Sequence, residues 1–308
     1  MSNRCFFYDD KSSSERLKIL GSCNGLFLIT HYTDFYLWNP SIRQSAIVLS
    51  LRTDGWPKDF SLDHASVYPS GLCYDSSTDD YKAVMANELR EVTVVSFKRK
   101  FWATTTLHVV DKGNGYIYLP GPIVNEKLHW VITKFGNDRV TSFDLLTDRF
   151  EELPMPLLPN NGVGEPIIGV NGLGVLDGCL CMTRCVTRGS GVEKVGLGFF
   201  ELLVMKEYGV GCSWTRILKV SKDFASLSPG TLVPLCFTSE GEVVISVSRL
   251  NKLHAYNLKD KSRRDIFVPF KGRITYQTSY TESVVSPEAY GHEEVWIVEA
   301  PDFLKRPN

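Results

Sequence analysis

A short all-β unit recurs five times along this chain, and no other feature of the sequence constrains the fold as strongly. Each unit opens with a glycine-led hairpin, runs into an aromatic strand that closes on a polar residue, and ends with a turn and a last strand. The third-strand signature reads YLWNPSIRQ from Tyr36, VSFKRKFW from Val95, SFDLLTDRF from Ser142, VMKEYGVGCSW from Val204 and AYNLKDKSRR from Ala255. Aligning Asn39, Lys98, Asp144, Lys206 and Asn257 gives steps of 59, 46, 62 and 51 residues. That spacing matches the roughly 50 residues of a kelch-type, four-stranded propeller blade.

The segments within each unit have strand chemistry. GLFLI, FYLWN, YKAVMA, EVTVVSF, KLHWVI, FFELLVM and EVVISVS are four to eight residues long and rich in β-branched and aromatic side chains. Asn24-Gly25, Asn114-Gly115, Asn171-Gly172, Asp177-Gly178 and Glu240-Gly241 supply residues that tolerate the positive φ of tight hairpins. No 12-residue stretch sustains an i, i+3, i+4, i+7 pattern. A four-stranded twisted sheet cannot bury both faces alone, and radial stacking solves that. The sequence therefore predicts an all-β fold: a single β-propeller of four-stranded antiparallel blades, six in number, the last formed by Thr275 to Ser286 with the N-terminal strand. Residues 1–16 read as a connector able to supply a closing strand, 17–287 as the propeller and 288–308 as a C-terminal strand or tail.

Composition narrows the function classes. The 34 lysines and arginines against 35 aspartates and glutamates leave a net charge of −1, without the basic excess that nucleic-acid or anionic-membrane binding needs. No window of 18 apolar residues offers a transmembrane helix, and the N-terminus carries no secretory h-region. The eight cysteines sit mostly inside apolar runs, as buried free thiols do in the cytosol or nucleus. Cys179, Cys181 and Cys185 fall on one face of a strand, the pattern of a core stripe, and lack the C-x2-C spacing of zinc sites. His129 (KLHW) and His254 (KLHA) occupy matching contexts that suggest a repeated packing role. No nucleophile elbow, phosphate loop or paired-carboxylate arrangement is present, so no catalytic, metal or cofactor-binding residue is assigned. One residue stands out as a candidate partner contact: Trp56, in the TDGWPKDF stretch between strands, where an aromatic serves either as a loop anchor or as an interface anchor.

Seven segments, in order, resemble the plant F-box-associated domain. LKILGSCNGLFLI with LWNPSIRQ is similar to its opening, and GLCYDSSTDDYKAV to its most diagnostic hairpin. VNEKLHWV, VTSFDLLTDRFEELPMP, LDGCLCM, VMKEYGVGCSWTRI and TESVVSP complete the set, from about Leu17 to Pro287. The resemblance implies a kelch-like propeller that binds a target protein for ubiquitination and performs no chemistry itself. In such proteins an N-terminal F-box docks on the Skp adaptor of a cullin–RING ubiquitin ligase. Here only about 16 residues precede the similar region and no F-box pattern occurs, so Skp adaptor and cullin are expected partners only if an F-box lies elsewhere or upstream. A decoy that binds targets without recruiting a ligase is the alternative, and a kelch-type propeller enzyme a remote one. For partner contact, the loops around Trp56, Thr187 to Gly196 and Lys222 to Gly230 come first.

Overall fold

Tight turns set the strand pairing. Asn24 and Gly25 (φ 48° and 80°) and Asp177 and Gly178 (49° and 75°) adopt the paired left-handed conformation that matches the twist of two-residue hairpins, and Asn125-Glu126 does so without glycine. A computed structural model describes residues 3–9, 17–31, 33–50, 70–86, 91–106, 121–134, 137–147, 149–156, 167–187, 199–221, 232–247, 252–267 and 274–291.

Strand β1 (Asn3–Asp9) precedes five four-stranded antiparallel sheets. The first holds β2 (Leu17–Cys23), β3 (Leu26–His31), β4 (Asp34–Asn39) and β5 (Gln44–Ser50). The second holds β6 (Ser70–Asp75), β7 (Asp80–Ala86), β8 (Glu91–Ser96) and β9 (Phe101–Thr106). The third holds β10 (Ile123–Val124), β11 (Lys127–Lys134), β12 (Asn137–Asp144) and β13 (Arg149–Glu152). The fourth holds β14 (Ile167–Leu176), β15 (Cys179–Thr187), β16 (Phe199–Met205) and β17 (Trp214–Ser221). The fifth holds β18 (Leu232–Phe237), β19 (Glu242–Val247), β20 (Lys252–Asn257) and β21 (Arg263–Ile266), after which β22 (Ile274–Thr281) pairs with β1.

Within each sheet the strands pair in sequence order, so every sheet is a meander. The sheets follow one another around a ring: β2 lies against β6, β6 against β11, β11 against β14, β14 against β18, and β22 bridges β18 and β2. This is a β-propeller. The expected six four-stranded blades are corrected to five among the described residues, where the sixth position holds the two-stranded β1–β22 pair. The expected partnership of the N-terminal strand with residues near 275–286 is present, in register from Asn3–Thr281 to Asp9–Ile274. No third strand follows β22 among the described residues. In its place residues 282–291 run across blade 1, ending in a one-turn 3-10 helix at Pro287–Tyr290.

The cores lie between blades. Leu26, Leu28, Phe35 and Leu37 of blade 1 meet Leu72, Tyr81, Ala83 and Phe97 of blade 2. Val84 and Val92 meet Leu128, Trp130 and Phe143 of blade 3, and Val140 and Leu153 meet Leu180, Met182 and Leu203 of blade 4. Cys181, Leu202 and Val204 then meet Val243, Ile245 and Tyr256 of blade 5. Cys179 and Cys185 pack against that same cluster, as the one-face stripe predicts. Each sheet thus covers both faces, which a lone sheet could not do.

Close approach of the inner strands depends on missing side chains. A Cβ at Gly21 would meet the Leu72 amide, and one at Gly174 the Pro234 carbonyl, each nearer than 3.0 Å. The inner strands β2, β14 and β18 each carry a bulge, at Leu20, Asn171 and Leu235, which adds twist where the ring is narrowest. The Asn171-Gly172 pair, expected as a hairpin turn, is therefore a bulge inside β14: the glycine is needed for contact with Leu232 and not for a reversal. Gly174→Ala should lose about 1–3 kcal/mol by overpacking against the Pro234 carbonyl. Thermal unfolding at constant pH measures this, and a midpoint within error of the parent would contradict the packing described.

Candidate protein-interaction surface

Strand alternation divides the connections between two rims. The first-to-second and third-to-fourth strand turns of every blade share one rim, and most are short: 24–25, 40–43, 97–100, 125–126, 177–178 and 258–262 among them. The connections between blades and from second to third strands leave from the opposite rim. They include 51–69, 107–122, 153–166, 188–198, 222–231 and 267–273. All three loop regions picked from the sequence for partner contact join strand ends on this long-connection rim. Trp56 lies outside the described residues, as do most residues of those loops.

The short-turn rim is built of side-chain caps. The carboxyl or amide oxygens of Asn39, Asp144 and Asn257, each the last residue of a third strand, accept from Ser41, Leu146 and Lys259 amides at 2.9 Å. These are turns in which an Asn or Asp side chain stands in for a backbone carbonyl. In blade 2 the third strand ends at Ser96, two residues before the aligned Lys98, and Asp80 of the neighbouring strand accepts from the Lys98 amide at 2.9 Å instead. In blade 4 it ends at Met205, and a longer turn closes through a 3-10 helix at Gly211–Ser213. These two blades solve the same capping problem with different residues, so the aligned lysines are not equivalent to the Asn and Asp caps. The diagnostic YDSSTDDYK hairpin works similarly. Asp75 (side chain 3% exposed) accepts from the Ser77 amide and hydroxyl, the Thr78 hydroxyl and Lys82 Nζ at 2.6–2.9 Å. Burial would raise its pKa, yet these bonds outweigh burial and hold the carboxyl well below its ordinary range.

Side chains on this rim also tie blade to blade. Tyr208, in the long turn of blade 4, reaches the buried His129 of blade 3, its hydroxyl 2.8 Å from Nε2. The other ring nitrogen lies 3.2 Å from the Pro122 carbonyl, which can only accept, so Nδ1 carries the proton and the tyrosine hydroxyl donates to Nε2. Trp214 Nε1 donates to the Pro154 carbonyl at 2.8 Å, and, toward the opposite rim, Trp130 Nε1 donates to the carbonyl of Ser70 at the start of β6 at 3.1 Å. Those tryptophans tie blade 4 to blade 3 and blade 3 to blade 2. His254 departs from that pattern. It sits on the third strand of its blade and bonds Asp265 at 2.8 Å, whereas His129 sits on a second strand, so KLHW and KLHA are not matching positions.

Two further features were not legible in the sequence. Glu201, 1% exposed, is clamped across three strands by Arg184 and Arg216, a pairing that a buried carboxylate requires. Phe101, Leu146 and Val210, on the third-to-fourth strand turns of blades 2, 3 and 4, project apolar side chains to solvent from the short-turn rim. Cross-strand partners and rim exposure depend on register, which no single segment displays. Among the described residues no helix is long and apolar enough to cross a membrane.

Burial holds the His129 imidazole down at about 4, so it stays neutral in the fold while the unfolded chain protonates near 6.5. The stability from this depressed group is therefore full above about pH 6.5 and is lost as pH falls toward 4, on the order of 3 kcal/mol across the window. His129→Gln should flatten the fall in denaturant midpoint between those pH values. An unchanged slope would mean that His129 is already charged in the fold.

Comparison with known proteins adds a family to this geometry. The sequence profile described as the F-box associated beta propeller domain matches residues 3–287. The chain is similar to an F-box/kelch-repeat protein of Arabidopsis thaliana, 31% identical over 240 residues, covering 72% of this chain and 59% of that protein. It is also similar to the F-box protein CPR1 of the same plant, 27% identical over 275 residues, covering 79% of this chain and 62% of that protein. A third Arabidopsis F-box protein is 26% identical over 272 residues, covering 80% and 63%. The chain thus spans about three fifths of the length of these relatives.

Proposed function

The chain belongs to the F-box associated β-propeller family, and from that premise we propose that it is the target-recognition part of a cullin–RING ubiquitin ligase receptor. It holds a protein to be ubiquitinated and leaves the chemistry to the ubiquitin-conjugating enzyme. The observation that carries this is the family match across residues 3–287, supported by relatives that are themselves F-box proteins. A propeller is used for many purposes, so the fold alone would not select this one.

Target contact falls to the long-connection rim. Its loops vary in length from blade to blade, while the opposite rim is held to short turns by capping geometry. Trp56 is the contact residue of first choice, an aromatic that an interface can bury whole. The setting is the cytoplasm or nucleus, where the ligase machinery operates. Skp adaptor and cullin join through an F-box carried in the same protein or in a partner.

The tagged protein should co-purify from plant cells with target proteins, identified by mass spectrometry. Exchanging residues 52–66 for a neutral loop, or Trp56→Ala alone, should abolish capture of a target and leave the thermal midpoint unchanged. Capture that survives loop exchange and is lost only on core changes such as Val243→Asp would place recognition elsewhere. Co-purifying Skp adaptor and cullin are expected if the protein is a ligase subunit. Targets captured reproducibly without adaptor would favour a decoy.

A further inference from the structure

The stretch after β22 is bound to the rim of blade 1 without joining any sheet. From Glu282 to Gly291 it contributes no strand, yet it is held along its length. Asn39 Nδ2 donates to the Ser283 carbonyl at 3.1 Å, the Ser283 hydroxyl at 3.2 Å and the Val285 carbonyl at 2.8 Å. The Ser286 hydroxyl lies 3.1 Å from Gln44 Oε1 and accepts from the Glu288 amide. Pro287 and Tyr290 are buried, and the Tyr290 ring stands edge-on against Tyr81 of blade 2, centroids 4.9 Å apart. Gly25 lies under Ser283, where any Cβ would collide with its side chain and with the Thr281 carbonyl.

The key donor of the seat is oriented by its own turn. Asn39 Oδ1 is already committed to the Ser41 amide of its own turn, which fixes the carboxamide plane and aims Nδ2 at the strap. Asn257 caps the equivalent turn of blade 5 through the same oxygen, and Asp144 in blade 3 has no amide to offer. A donor facing carbonyls two residues apart reads extended main chain, as β-type peptide sites do. Beside it lie a floor without side chain at Gly25, a site for proline, and the Tyr81 face for an aromatic ring. Lifting the strap breaks no β-ladder and costs these contacts together with the packing of Val285 and Tyr290 against the core between blades 1 and 2.

We propose that this seat is a binding site for extended peptides of the form Ser-x-Val-Ser-Pro-x-x-Tyr, occupied in cis by the chain's own segment 283–290 and exchanged for a like segment of a partner protein. The site lies on the short-turn rim, opposite the loops assigned to target recognition, and does not depend on that assignment. Tethering gives the cis segment a high effective concentration, so a free peptide competes at a disadvantage.

The test uses the full chain and a fluorescein-labelled synthetic peptide of residues Thr281–Gly291, titrated by anisotropy. Saturable binding is expected. Tyr290→Ala in the chain removes the cis competitor's ring from the Tyr81 site and should tighten apparent binding of the unaltered peptide at least tenfold. Ser286→Ala does the same to a smaller extent and serves if Tyr290→Ala fails to unfold cooperatively. Asn39→Ala should abolish binding, whereas Asn257→Ala, which removes the same turn cap in another blade, should leave it unchanged. Absence of saturable binding in the parent and in both weakened variants overturns the proposal. So does binding that Asn39→Ala leaves intact, or weakened variants that bind no tighter than the parent.

Discussion

Ring closure is the constraint on which the remainder of this structure depends. Each blade buries its two faces only against its neighbours, so a gap anywhere would expose the flanks of two sheets at once. The five complete blades leave one position between β18 and β2, and it is filled with half the usual material. β22 supplies the inner strand and β1, from the other end of the chain, pairs with it. Tyr280 at the end of β22 contacts Phe27 edge-on at 5.3 Å, which seals the side of blade 1 with aromatic surface. Joining the two ends of the chain in one sheet makes opening the ring a long-range event. β1 and β22 are thereby tied into the cooperative unit.

The inner strands meet this constraint through bulges and bare glycines, and the outer ones through caps. Near the axis, Gly21, Gly172 and Gly174 let backbone rest on backbone. At the short-turn rim, polar side chains replace missing backbone partners and reach to the adjacent blade, as Tyr208 does to His129 and Lys261 to the Ile217 carbonyl. A rim so closely tied has little freedom to vary its turns. The opposite rim carries the longer connections, such as 51–69, which are accommodated there because loop-closure cost grows only slowly with length. The longest connections therefore gather on one face and the capped turns on the other.

Sequence alone revealed what is repeated and hid what differs between repeats. The hairpins, the aromatic third strands and the one-face cysteine stripe were legible because each is a local pattern of period two with turn residues at its ends. The number of complete blades was not, since residues 282–291 have the apolar content of a strand and only their contacts with Asn39 and Tyr81 show them crossing another blade. Asn171-Gly172 has the composition of a turn and sits in a bulge, and the choice between those is made by Leu232 on the next blade. Lys98 and Lys206 fell out of alignment because blades 2 and 4 borrow or rebuild a cap that blades 1, 3 and 5 carry in place. The partner-contact rim was legible only as a set of loops; their common side follows from strand alternation, which needs the pairing order of all five blades.

The same logic explains why Asn39 differs from its structural equivalents. A turn cap uses the side-chain oxygen alone, so Asn and Asp serve equally well there, as Asp144 and Asn257 do. Asn39 is completely buried, and a carboxylate in its place would face the Ser283 and Val285 carbonyls with no proton to share. Blade 1 needs the amide because, among the described residues, a strap lies across its capped turn and across no other. The amide is thus required at blade 1, whereas at blades 3 and 5 the cap alone is satisfied by Asp144 or Asn257. A repeat that is uniform in its hydrophobic pattern carries its polarity and its end in such single-atom differences.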